Sequence, residues 1–110
     1  MDYIERLRRL ALNDRHLEDD DPLEAQPQEL DARTLALVRL AALVAIGGAQ
    51  PSYGAEADAA VGAGATAGEI VDVVAGIIPI VGLPCVVAAA PKLALALGFD
   101  VIEPSDGAGD

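Results

Sequence analysis

Ser52, Tyr53 and Glu56 stand out in a chain built largely from aliphatic residues. Glu56 follows Ser52 by four residues and Tyr53 by three, so on a helix all three can share one side. A carboxylate held among apolar side chains is a stronger proton acceptor than one in water, which would make Glu56 a general base. Tyr53 would then serve as proton donor or ring platform, and Ser52 as a hydrogen-bond partner. The competing expectation is a plain surface helix, with Glu56 and Asp58 in solvent and Tyr53 covering the helix edge.

Other residues with chemical potential are more isolated. Arg39 interrupts an apolar helix and needs either a carboxylate or a route to water, because a lone buried charge is costly. An ion pair across a subunit interface meets that need, and so does an anionic ligand. His16 is the only histidine and lies in an acidic stretch, so it makes no metal site by itself. The acidic run "EDDD" at residues 18–21 lacks the spaced loop of a calcium site and reads as solvated. Cys85 is the only cysteine, which rules out an internal disulfide and a zinc site built on thiolates. It suits a small core residue. None of these residues calls for a cofactor or a metal.

The elements that would position these residues are helical. "DYIERLRRLAL" sets Ile4, Leu7 and Ala11 on one face, a short amphipathic helix that must dock on something. A connector with Pro22 and Pro27 follows. Asp31 suits the N-cap of "ARTLALVRLAALVAI", which stops at Gly47 and Gly48. That helix is apolar nearly all round, which predicts burial on several sides. Pro51 fits the first turn of the next helix, which ends near Ala63 before Gly64. "TAGE" at residues 66–69 matches a capping box and opens a third helix, which Pro79, Gly82 and Pro84 break or kink. The last helix, "LPCVVAAAPKLALALG", should bend at Pro91 and end at Gly98. "VVAGIIPIVG" is β-branched enough for a buried strand, but its Gly, Pro and helical flanks favour helix.

With 110 residues the chain suits one domain. Residues 1–29 read as the amphipathic helix and acidic connector, residues 30–99 as the core, and residues 100–110 as a polar acidic tail. Trp is absent and the core must be aliphatic, so a domain this small gains by sharing surface with copies of itself. The formal charge of -11 argues against nucleic acid and against an anionic membrane surface. Residues 73–91 carry no charge over a length that could span a bilayer. Their four breakers (Pro79, Gly82, Pro84 and Pro91) and the lack of aromatic belts or a basic flank favour a buried helix pair in a soluble oligomer. No basic-then-apolar leader opens the chain, which makes the cytoplasm the expected location.

In order, "LDARTLALVRLAALVAIGG", a helix ending in "AGAT", and "GEIVDVVAGIIPIVGLPCVVAAAPKLALALG" resemble the carboxymuconolactone decarboxylase and alkylhydroperoxidase D-like family over residues 30–98. The resemblance rests on scaffold features and implies an all-α helical bundle, assembled as a homotrimer or homohexamer through apolar helices. The family's redox branch carries C-x-x-C followed by His on the helix before the "AGAT"-like junction. Those positions are Ala49, Ser52 and Glu56 here. A peroxide-reducing cycle needs an attacking thiolate and a resolving thiol, so peroxidase activity is not expected. The decarboxylating branch keeps the His and an acid on the preceding helix, and the acid's position falls on Ala36 or Leu37. The chain therefore resembles a divergent member lacking the catalytic Cys, His and acid.

Two functions follow as expectations. One is binding of a small organic molecule in an interhelical pocket, with a non-redox lyase or isomerase step through Glu56, Tyr53 and Ser52. The other is a non-catalytic homo-oligomeric scaffold or partner-binding module.

Overall fold

The computed structural model describes residues 2–12 and 29–99. The chain divides into two compact units, Met1–Leu30 and Asp31–Asp110. His16, the acidic run at 18–21, the connector prolines and the tail at 100–110 lie outside the described residues. All the regular structure described is helical.

In the first unit, α1 spans Tyr3–Ala11. Asp2 caps it by accepting the Glu5 N–H at 2.8 Å, which satisfies one of the open donors of the first turn. Glu5 pairs with Arg8 and Arg9 one turn on, at 3.4 and 3.3 Å. Ile4 and Leu7 are exposed, and no residue of α1 is buried within the chain.

In the second unit, α2 spans Ala32–Ile46, α3 Gln50–Gly62, α4 Ala67–Gly76, α5 Ile78–Val81 and α6 Leu83–Ala96. Local chemistry sets most of the boundaries. Asp31 accepts the Thr34 N–H at 2.8 Å and starts α2. Gly47, at φ 85°, ends it in a conformation that costs an L-side chain strain. Thr66 and Glu69 form the capping box in both directions: Thr66 Oγ1 accepts the Glu69 N–H at 3.0 Å, and Glu69 Oε1 accepts the Thr66 N–H at 2.9 Å.

The prolines punctuate without destroying helix. Pro79 and Pro84 sit in the first turns of α5 and α6, where the missing N–H is not needed. The segment that could pass for a strand is divided between α4 and α5. Pro91 lies inside α6, which continues through it to Ala96. Among the described residues no helix is long and apolar enough to cross a membrane.

The core is one stripe from each long helix. Ala36, Leu40 and Val44 of α2 meet Tyr53, Ala57 and Ala60 of α3, with Ile70 and Val74 of α4 and Val86, Ala89 and Leu93 of α6. Spacings of three and four keep each set on one side of its helix. α2 packs on α3, α4 and α6, and α3 packs on α6. The expectation that α2 is buried on several sides is not met within one chain. Val38 and Ile46 remain exposed, because α3, α4 and α6 are enough to cover only part of its circumference.

Candidate functional site

Residues 47–49 turn the chain so that α2 and α3 run back against each other. Gly48 sits where an added Cβ would stand 2.8 Å from Leu43 Cδ1, so the reversal is tight. Two bonds hold it to α6. Lys92 Nζ donates to the Gly48 carbonyl at 2.9 Å, and Gln50 Nε2 donates to the Lys92 carbonyl at 2.7 Å. Lys92 also stands 6.0 Å from the centre of the Tyr53 ring, at the outer limit of a cation–π contact.

The packing of α3 against α2 and α6 separates the three candidate residues. Tyr53 points into the core at 1% exposure, in line with Ala57 and Ala60. Its hydroxyl reaches only the Leu43 carbonyl, at a long 3.5 Å. Burial pushes the phenol up from its ordinary value, because the phenolate would lose its water. Tyr53 is thus a core side chain with a neutral hydroxyl on backbone. It does not cover the helix edge, as a plain surface helix would have it.

Ser52 and Glu56 lie on the adjoining flank of the helix. With Arg39, Ala42, Leu43 and Ile46 they line a hollow of about 360 Å³ between α2 and α3. Ser52 and Arg39 are exposed and Glu56 is half-exposed. Arg39 has found its route to water. Among the described residues the cross-element ion pair is Arg33 to Glu69, and no ion pair joins Arg39 to Glu56. One chain does not supply the enclosure that the proton-transfer reading depends on. What the hollow offers is one cation, one carboxylate and one hydroxyl on an aliphatic floor.

Arg39 belongs to this group, and the sequence held a signal for it. In a tight antiparallel hairpin, residues equally far from the turn lie side by side. Leu43 and Tyr53 are such a pair about Gly48, and Arg39 and Glu56 are nearly one. A second hollow, of about 180 Å³, lies between α4 and α6 and is lined by Val71, Val74, Leu93, Leu97 and Phe99 among others. Its side chains are apolar and offer no acid, base or nucleophile. Cys85 is half-buried in the first turn of α6.

The model of the carboxymuconolactone decarboxylase family matches residues 12–95. The chain belongs to that family. The match starts ahead of residue 30, where the sequence resemblance begins, and includes part of the N-terminal segment. No curated protein and no solved structure matches the chain. The helical bundle accords with the carboxymuconolactone decarboxylase family assignment. At the positions where the resemblance puts the thiols and the imidazole, Ala49 is the N-cap of α3, Ser52 lies in its first turn, and Glu56 lies one turn further. A helix N-terminus lowers a thiol's pKa, so the place suits thiolate chemistry, but neither position holds sulfur. For the acid's position, Ala36 is buried and Leu37 packs against the core.

Proposed function

We propose that this carboxymuconolactone decarboxylase family member acts through assembly, as a homo-oligomeric scaffold or partner-binding module without the family's chemistry. The observation that carries this reading is the fate of Tyr53. Its ring is spent on the core, and Ser52 and Glu56 are left at an open hollow. Among the described residues no charged side chain is buried, so a single chain holds no enclosed acid or base. Exposed aliphatics on several helices, Val38, Ile46, Ile80 and Val87 among them, support association with further copies, which the family resemblance makes a trimer or hexamer. Light scattering at micromolar concentration should give three or six times the chain mass. A folded monomer would overturn the reading.

A second reading is favoured by one specific grouping, Arg39 with Ser52 and Glu56 at one hollow. A small, weakly acidic organic molecule would set its carboxylate on Arg39 and its apolar part on Leu43 and Ile46. Glu56 would move a proton in a non-redox lyase or isomerase step. Titration with small aromatic and lactone acids, followed by the methyl resonances of Leu43 and Ile46, tests it. Binding that is lost in Arg39→Ala, with turnover lost in Glu56→Gln, is the expected result for this reading.

A further inference from the structure

The geometry points to a reciprocal contact between two copies of this chain, in which Arg39 of each protomer pairs with Glu56 of the other across a two-fold axis over the α2–α3 hollow. This rests on the assembly reading. The hollow carries both signs of charge on one patch, and among the described residues neither charge has an ion-pair partner. A patch that holds one cation and one anion is complementary to itself when rotated by half a turn. Each two-fold contact then forms the pair twice.

The steric pattern agrees. Arg39, Ala42, Leu43 and Ile46 follow one another at helical spacing along α2, with the charge at one end and Ile46 at the other. Ala42, near the middle, lets two helices approach closely. Ile46 is 83% exposed and would lose that water on association.

Charge selects this occupant over the others. An anion held by Arg39 would share the hollow with the Glu56 carboxylate, a like charge. A chain with a formal charge of -11 repels its own copies in general, so association needs a place where opposite charges meet. The Arg39–Glu56 pair provides one and fixes the register of the contact. An assembly built on it has an even number of copies, as a hexamer has and a trimer has not.

Charge reversal tests the contact. Arg39→Glu and Glu56→Arg, each alone, place like charges opposite one another. Each should raise the dissociation constant of the two-fold step by about tenfold or more, read by sedimentation equilibrium, with helicity unchanged by circular dichroism. The double variant restores opposite charges and should return the constant to within about threefold of the original. As a check independent of charge, Ala42→Cys in a Cys85→Ser background should give a covalent dimer on oxidation. If the original chain assembles and both single reversals assemble equally well, the contact lies elsewhere and the assembly reading stands. Failure of the folded double variant to recover, with no crosslink through residue 42, also overturns the contact. If the original chain is a monomer, the assembly reading itself fails.

Discussion

Arg33 Nη1 lies 2.6 Å from Glu69 Oε2, which ties the first turn of α2 to the capping box of α4. The other oxygen of that carboxylate accepts the Thr66 N–H. One exposed acid thus caps its own helix and braces a neighbour that is far off in sequence.

This arrangement sets a pH dependence. The Thr66 N–H first, and Arg33 with it, holds Glu69 below its ordinary value of 4.5. Asp31 is likewise held below 3.8, chiefly by its bonds from Thr34. A carboxyl whose folded pKa is depressed adds stability above the unfolded value and loses it as pH falls through the folded one. The thermal midpoint should therefore drop as pH goes below about 4.5, the ordinary value for Glu69. Glu69→Gln should flatten part of that drop. Melts at low and high salt would check it, since exposed charges are screened.

Thr66→Ala removes the hydroxyl that accepts the Glu69 N–H. The expected loss is about 1 kcal/mol, as for other N-caps. Urea denaturation should show a lower midpoint with an unchanged slope.

Tyr53→Phe should be nearly neutral, since its hydroxyl makes one long bond at 3.5 Å. Tyr53→Ala should cost about 3–5 kcal/mol, as for other buried aromatics cut to alanine. If Tyr53→Phe instead abolishes binding of a small acid at the hollow while stability is kept, the hydroxyl has a role that its core position does not explain.

Peroxide reduction driven by thiols should be undetectable. Ala49 and Ser52 stand where the resemblance places the two sulfurs, and Cys85 on α6 is the only thiol in the chain. A disulfide cycle needs a resolving partner. Turnover of an organic hydroperoxide that disappears in Cys85→Ser would contradict this.

Leu40→Ala should cost about 2–5 kcal/mol, the range for a leucine in a packed core. Leu40 is fully buried by its own chain, and Leu37 packs on the same core. A charge at either position should therefore unfold the chain and leave no intact protomer to dissociate. A charge at the exposed Ile46 should spare the fold, which circular dichroism would show.

The sequence by itself determined where the helices begin and end. Asp31, Gly47, Pro51, Gly64 and the Thr66–Glu69 box act on backbone groups within a few residues of themselves, so their effect is readable from a short window. The aliphatic composition and the order of these signals also carried the family. Which side of each helix faces inward was not determined in the same way. α2 is apolar nearly all round, so its periodicity hardly distinguishes the stripe through Leu40 from the side bearing Val38 or Ile46. On α3, Tyr53 and Glu56 are close enough to share a face and far enough apart to be divided by a neighbour. Only the packing of α3 against α2 and α6 decided that division. It drew Tyr53 into the core, where its large ring buries the most apolar area, and left Ser52, Glu56 and Arg39 together at the water's edge.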